Sequence, residues 1–474
     1  MEEKQFESND IARFQENSKK NKARGMDMVE GSLWKKVFLF ALPLGLTGVL
    51  QQLFNAADIA VVGQFTGELG AHCMAAVGAC TSLISLLVNV FIGISIGSNV
   101  VIANAVGANN DKRVKRTCVT SIWVALIGGL FVTLVGELIS GPVLKLMGVP
   151  AEVFDMANLY IKIYLMGMPI ILLYNFEAAI MRGIGNTKLP LFALSLAGVI
   201  NVILNMILVI GFHMTVEGVA IATVFSNLIS SIILFIYLRK DKLISFHSLF
   251  DHPIHGDILV NILRIGIPSG IQSSVFSIAN VVIQSGFNSL GTIIMASSSA
   301  SLNVESVVYS LVSSFGHACT TFTGANYGAN KIQRCKQVLM TCLLLGLGVT
   351  FVSAGSVMVF GRSLVSLFNG NPEVIAQGYV RLVVMLSSYV FVIHYEVISG
   401  YLRGFGISVL PAAVTTLGVC VVRIFWIFVV FPMNPTYHTI LAVFPISLGL
   451  TAFLMIGALF YIKPATKRQK AQAK

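Results

Sequence analysis

Four carboxylates stand inside long apolar stretches of this chain: Asp58, Glu177, Glu305 and Glu396. Ionisable side chains at membrane depth are costly and concentrate at functional positions. Asp58 lies in the outer half of the first stretch. A carboxyl group there can take up a proton, because a low-dielectric setting favours its neutral form. It can also ligate Na⁺ as a hard oxygen donor. Glu305, in the eighth stretch, and Glu396, in the tenth, sit deep enough to face a cavity rather than lipid. They are candidates for attracting a cationic substrate or for a second proton site, and pairing with Arg403 or nearby polar groups is the alternative. Glu177 lies nearer an end, which suits an interfacial or structural role. Asn201 and Asn205, spaced i and i+4, share one helix face, and hydrogen bonding between helices is their plain use.

Other chemistries are poorly served. The seven cysteines have no metal-ligand spacing and are odd in number, so they read as small apolar residues. His317 and His394 lie within apolar stretches without an HExxH or nucleophile motif, which argues against an enzyme. His252 and His255 stand in a polar connection that reads as solvated linker rather than metal site. No selectivity-filter segment recurs, so a passive channel is not indicated.

The elements that must position these groups are twelve apolar spans, near 37–62, 73–103, 117–140, 156–182, 190–211, 217–238, 261–287, 295–325, 337–360, 377–403, 411–432 and 440–462. A span of about 20 residues crosses a hydrocarbon core, and within it only helices satisfy the backbone. The chain is 55% apolar and 11% charged, with a mean hydropathy of +0.82. The expectation is an all-α polytopic membrane protein. The connections on one side of the spans, both tails included, carry 26 lysines and arginines, and those on the other carry only Lys145 and Arg362. By the positive-inside rule both termini are cytoplasmic, in a plasma-membrane protein. The basic charge is therefore topological and does not indicate nucleic acid. Residues 1–31 are polar, without the apolar core of a signal peptide, and read as a disordered tail.

The spans fall into two copies. "LPLGLTGVLQQLFNAADIAVVG" from Leu42 matches "IPSGIQSSVFSIANVVIQSG" from Ile267, pairing Pro43 with Pro268 and Asn55 with Asn280 at an offset of 225. "VGANNDKR" (Val106–Arg113) matches "YGANKIQR" (Tyr327–Arg334), and "MRGIGNTKLP" (Met181–Pro190) matches "LRGFGISVLP" (Leu402–Pro411), both at an offset of 221. Six spans per copy make a parallel repeat about an axis along the membrane normal, a transporter signature. The expected organisation is a tail at 1–32, an N-lobe at 33–238, a cytoplasmic linker at 239–260, a C-lobe at 261–462 and a tail at 463–474. Arg182 and Arg403, at matching span ends, are expected to snorkel to the interface.

"NAADIAVVGQFTG", "GNTKLP", "GVINVILNMILVIGF" and "GVAIATVFSN" in the first copy, with "TGANYGANKIQR" and "SGYLRGFGISVLP" in the second, resemble the multidrug and toxic compound extrusion (MATE) transporters over residues 33–463. The resemblance implies twelve helices in two pseudo-twofold-related six-helix lobes around a central cavity. It implies export of small organic, often cationic, drugs in antiport with H⁺ or Na⁺, and no further cofactor. Asp58 matches the family's helix-1 coupling residue. Asn201, Asn205 and Thr223 fall where the family completes an N-lobe cation pocket, except that the family often has aspartate at the place of Asn205. One carboxylate with two amides and a hydroxyl is a weaker cage than two carboxylates, so H⁺ is preferred to Na⁺, with Na⁺ at Asp58 the alternative. The substrate-cavity candidates are Glu305, Glu396, Asn175 (the repeat mate of Glu396), Tyr309 and Tyr395. Phe54, Met168 and Tyr174 are further adaptable wall residues, although each of these aromatic and methionine side chains equally suits helix packing. The expected partners are drugs and membrane lipid, with the chain monomeric. A lipid-linked precursor flippase is the runner-up. It would need cations in its cavity, whereas the deep charges here are mainly acidic, with Arg381 and Arg423 the exceptions.

Overall fold

The computed structural model describes residues 25–251 and 254–466, which contain helices and no strands. Twelve helical columns follow in order: α1 Leu33–Phe65, α2 Gly70–Gly107, α3 Asp111–Leu146, α4 Ala151–Met166 plus Met168–Gly183, α5 Lys188–Met206, α6 Val216–Lys240, α7 Gly256–Asn288, α8 Thr292–Gly328, α9 Ile332–Ser366, α10 Pro372–Ser387 plus Tyr389–Gly404, α11 from Val409 to Met433, and α12 Tyr437–Ile462. Nine single helices and the bent pairs α4 and α10 are long and apolar enough to cross a membrane. The twelfth, α8, has 37 residues, but its serines and threonines dilute its hydropathy. Those hydroxyls turn back onto carbonyls of their own helix, as Ser301 Oγ does to Ser297 O at 2.7 Å.

The bends recur at repeat-matched positions. α4 breaks by 50° at Gly167 and α10 by 44° at Ser388, residues that lie 221 apart. In α4 the next residues are Met168 and Pro169, and the proline removes a backbone donor. α10 has no proline there. Instead Ser387 and Ser388 donate to Val383 O and Val384 O at 2.6 and 2.9 Å, a serine back-bond that bends helices. α5 ends in a π-turn at Ile207–Gly211, and α11 contains two, Thr416–Val421 and Trp426–Val430. Each π-turn amounts to one inserted residue, which rotates everything after it.

The N-lobe (α1–α6) and C-lobe (α7–α12) meet along the half of the molecule that carries the linker. There Gly93 and Gly97 of α2 lie against backbone of α7, including Gly270 and Ile262, and Gly107 and Gly328 lie against Ala325 and Asn104 backbone. Only glycine permits so close an approach. Among the described residues the outermost hydrogen bond between lobes is Asn89 Nδ2 to Ser277 Oγ, 3.2 Å. The Gly-Ala-Asn turns after α2 and α8 place Asn109 and Asn330 at φ 53° and 57°, a left-handed conformation that asparagine tolerates.

Two segments expected to be loose are packed. Residues 25–32 lie across both lobes. Met26 N donates to Gly185 O of the N-lobe at 3.1 Å. Asn326 Nδ2 and Arg334 Nη2 of the C-lobe donate to Met28 O and Gly31 O at 3.0 and 2.7 Å. Met28 is 2% exposed. Residues 1–24 of the expected tail lie outside the described residues, as do 467–474. The linker is not simply solvated either. It forms a short helix, Phe246–Asp251, and buries Leu243, Ile244 and Leu249. Trp123 Nε1 donates to Leu249 O at 2.8 Å, and α7 begins within the expected linker, at Gly256. These apolar linker side chains share a buried cluster with Val114, Cys118 and Ile122 of α3. His252 lies outside the described residues, and His255 N donates to Thr120 Oγ1 at 3.2 Å.

Candidate functional site

In the N-lobe, α1 carries Asp58, α5 carries Asn201 and Asn205, and α6 carries Thr223. The structure brings all four together. Asn205 Nδ2 donates to Asp58 Oδ1 at 2.6 Å, and Thr223 Oγ1 donates to Oδ2 at 3.1 Å. Asn205 Nδ2 also lies 3.3 Å from Asn201 Oδ1. Asp58, Asn201 and Asn205 are buried, so these bonds are electrostatically stronger than the same bonds in water. Asn205 Oδ1 is buried without a hydrogen-bond partner. That amide oxygen is an acceptor not committed to another hydrogen bond among the described residues. A threonine hydroxyl can also turn from donor to acceptor, so the cluster can accommodate Asp58 in either protonation state.

Asp58, Asn201 and Thr223 face a cavity of about 280 Å³ lined by N-lobe helices. Its wall includes Asn55 and Gln51 one and two turns before Asp58, Asn175 and Tyr174 of α4, and Tyr160 and Tyr164 of the other α4 segment. Sequence reasoning did not single out the last two. Their i, i+4 spacing on a bent helix was the available signal, and the bend aims both rings, 6.2 Å apart, at the cavity. Polar side chains on an aromatic wall suit organic ligands of varied shape.

The remaining cavity candidates lie elsewhere. Of the five, only Asn175 lines this cavity. Glu305 is buried in the C-lobe, where its Oε2 faces Arg381 Nη2 at 3.4 Å and its Oε1 accepts from Tyr389 Oη at 3.2 Å. Arg381 also bonds Ser298 Oγ and Ser298 O. Glu396 Oε1 accepts from Tyr309 Oη at 3.0 Å, and Tyr395 is buried in the C-lobe core. Glu177 is fully buried rather than interfacial, and Ser231 Oγ donates to its Oε2 at 2.7 Å. Arg403 does not snorkel. It is 6% exposed and donates to Gln272 Oε1 at 3.0 Å, while Gln272 Nε2 reaches Thr415 Oγ1 at 3.1 Å. A buried acceptor on α7 thus draws the guanidinium inward and ties α7, α10 and α11 together. Among the described residues no three metal-ligating side chains cluster.

The MatE family model matches residues 43–207 and again 268–429. The probable multidrug resistance protein YoeA of Bacillus subtilis is 29% identical over 439 residues, covering 90% of this chain and 92% of its own length. The probable multidrug resistance protein NorM of Thermotoga maritima is 25% identical over 395 residues, covering 82% and 84%. In three dimensions the chain superposes on a crystal structure of MATE in the bent conformation with a TM-score of 0.84 at 22% identity, covering 94% of this chain and 98% of that one. It superposes equally well, TM-score 0.84 at 20% identity, on an outward-facing multidrug resistance MATE family transporter, covering 92% and 97%.

Proposed function

This chain belongs to the MATE family, and we propose that it is a secondary active exporter of small organic cations and other drugs, driven by antiport of H⁺ through Asp58. It is a transporter and not an enzyme. The observation that carries the coupling assignment is the buried Asp58 carboxylate, held by Asn205 and Thr223 on the wall of an N-lobe cavity. A lone carboxylate whose two oxygens already accept hydrogen bonds fits a proton better than Na⁺, which needs several free oxygen ligands. A flippase of phosphate-bearing lipids would present its cations to the cavity. Here Arg381 and Arg423 are buried away from it against Phe444.

The linker-bearing side is the cytoplasmic one, by its excess of lysine and arginine. The lobes are in contact there, so the N-lobe cavity communicates with the outer side in this state. Proton binding to Asp58 weakens its charge-assisted bonds to α5 and α6, alters the seating of α1 and favours substrate release. Return to the inward-open state requires the glycine contacts of α2 and α7 to part. The ion shifts this equilibrium only in so far as it binds the two states with different affinity. The cavity is complete within one chain, which suits a monomer in the plasma membrane. Purified protein in proteoliposomes, with a pH or Na⁺ gradient imposed and ethidium as the probe, tests the reading. Uptake that follows the pH gradient supports it, and transport indifferent to both gradients overturns it.

A further inference from the structure

Arg423 of α11 is 2% exposed, yet among the described residues it has no carboxylate within ion-pair distance. Its Nη1 donates to Asn280 Oδ1 at 2.8 Å and its Nε to Ser447 Oγ at 3.3 Å. Its guanidinium carbon lies 5.4 Å from the Phe276 ring centre and 5.0 Å from that of Phe444. The nearby carboxylate, Glu305, is already engaged by Arg381 and Tyr389. A guanidinium held between two aromatic faces and two neutral acceptors is the form in which a buried cation is tolerated without a counter-ion.

The internal repeat shows what this position corresponds to. At the offset of 225, Phe276 and Asn280 of α7 match Gln51 and Asn55 of α1. At the offset of 221, Phe444 and Ser447 of α12 match Thr223 and Ser226 of α6. All four matched residues line the N-lobe cavity. The π-turn Thr416–Val421 adds one residue to α11 just before Arg423, which brings Arg423 onto the register of Asn201 in α5. The arginine therefore fills, in the C-lobe, the space that the N-lobe keeps open beside Asp58. The Asp58 position itself is Ile283 there.

Resting on the assignment of the coupling ion to Asp58, we propose that Arg423 is a resident cation. Its guanidinium permanently occupies the C-lobe counterpart of the N-lobe cation site and keeps α7 docked on α11 and α12 throughout the cycle. The N-lobe is then the only lobe that binds and releases the coupling ion. The two copies of one scaffold carry opposite charge in equivalent clusters, a carboxylate on α1 in one and a guanidinium on α11 in the other, so one is exchangeable and the other locked.

Spin labels at Asn288→Cys, at the end of α7, and Asn434→Cys, beyond α11, read this docking. Both sites are exposed, and the native cysteines are buried. In the otherwise unaltered protein, and in Arg423→Lys, one narrow distance is expected at low and high pH. Arg423→Ala is expected to add a second, longer distance and to lower ethidium transport about tenfold, the scale of losing a charged hydrogen bond. Guanidinium ion, but not tetramethylammonium, is expected to restore the single distance. A pH-dependent second distance in the unaltered protein overturns the proposal. So does an Arg423→Ala protein with one distance and undiminished transport, or an Arg423→Lys protein as loose as the alanine variant. If Arg423→Ala does not fold, the unaltered and lysine proteins still decide. Asp58→Asn distinguishes the premise: retained coupling there would sink the N-lobe assignment without moving the α7 distance.

Discussion

Asp58→Asn removes one ionisable oxygen and preserves shape. Asn205 Nδ2 can still donate to the new amide oxygen from the place where it now meets Asp58 Oδ1 at 2.6 Å. The new amide nitrogen replaces Oδ2, and Thr223, now donating at 3.1 Å, must rotate its hydroxyl to accept. Two hydrogen bonds to a charged acceptor, each contributing about 1.5–3 kcal/mol, become neutral bonds contributing about 0.5–1.5 kcal/mol. The burial cost of a charge disappears at the same time. These changes oppose each other, so thermal stability should move by no more than about 1–2 kcal/mol. Coupling should change completely. One pH unit across the membrane is worth about 1.4 kcal/mol per proton, so one-for-one exchange supports about tenfold accumulation of substrate at zero membrane potential. The asparagine protein should equilibrate substrate to about onefold under the same gradient. Proteoliposomes with a pH step, a clamped potential and a fluorescent cation measure both numbers. Tenfold accumulation by Asp58→Asn would refute the assignment of coupling to this side chain. Accumulation that tracks a Na⁺ gradient at constant pH would refute the preference for H⁺.

Glu305→Gln should destabilise the protein by about 3–5 kcal/mol, because it leaves buried Arg381 without its charge partner; Glu305→Gln with Arg381→Met should recover most of this in detergent melting curves. Gly97→Val places a side chain on Ile262 backbone, so cysteine pairs across the linker-side α2–α7 contact should read a longer distance while each lobe melts as before. Asn326→Ala removes the bond to Met28 O at a cost of about 1 kcal/mol, and should make residues 25–31 several-fold more susceptible to protease, with little change in the melting temperature of the lobes.

Much of the architecture is legible along the chain because it depends on local and periodic quantities. Apolar runs of membrane length, the lysine and arginine asymmetry and the two offsets of the repeat need no knowledge of which helices touch. The Asp58 cluster was also nameable, since Asn201 and Asn205 share a helix face and the motifs place Thr223 beside them. Glu305 was not legible in the same way. Its depth in α8 is a property of sequence, but its partner Arg381 lies 76 residues away, and only the rotation of α8 against α10 determines whether it meets an arginine or a cavity. The inward turn of Arg403 likewise depends on Gln272 of another helix.

The sequence by itself determined the apolar spans and the duplication, because hydropathy acts on each segment separately. Only the tertiary structure decided how the duplicated scaffold divides its chemistry. A π-turn at Thr416–Val421 of α11 changes the facing of Arg423, which follows it. Residues 25–32 become part of the folded body by bridging the two lobes, and the linker does so by packing against α3 and its N-lobe neighbours. A side chain's charge is written in the chain, but its partner is set by the relative rotation of helices far apart in it.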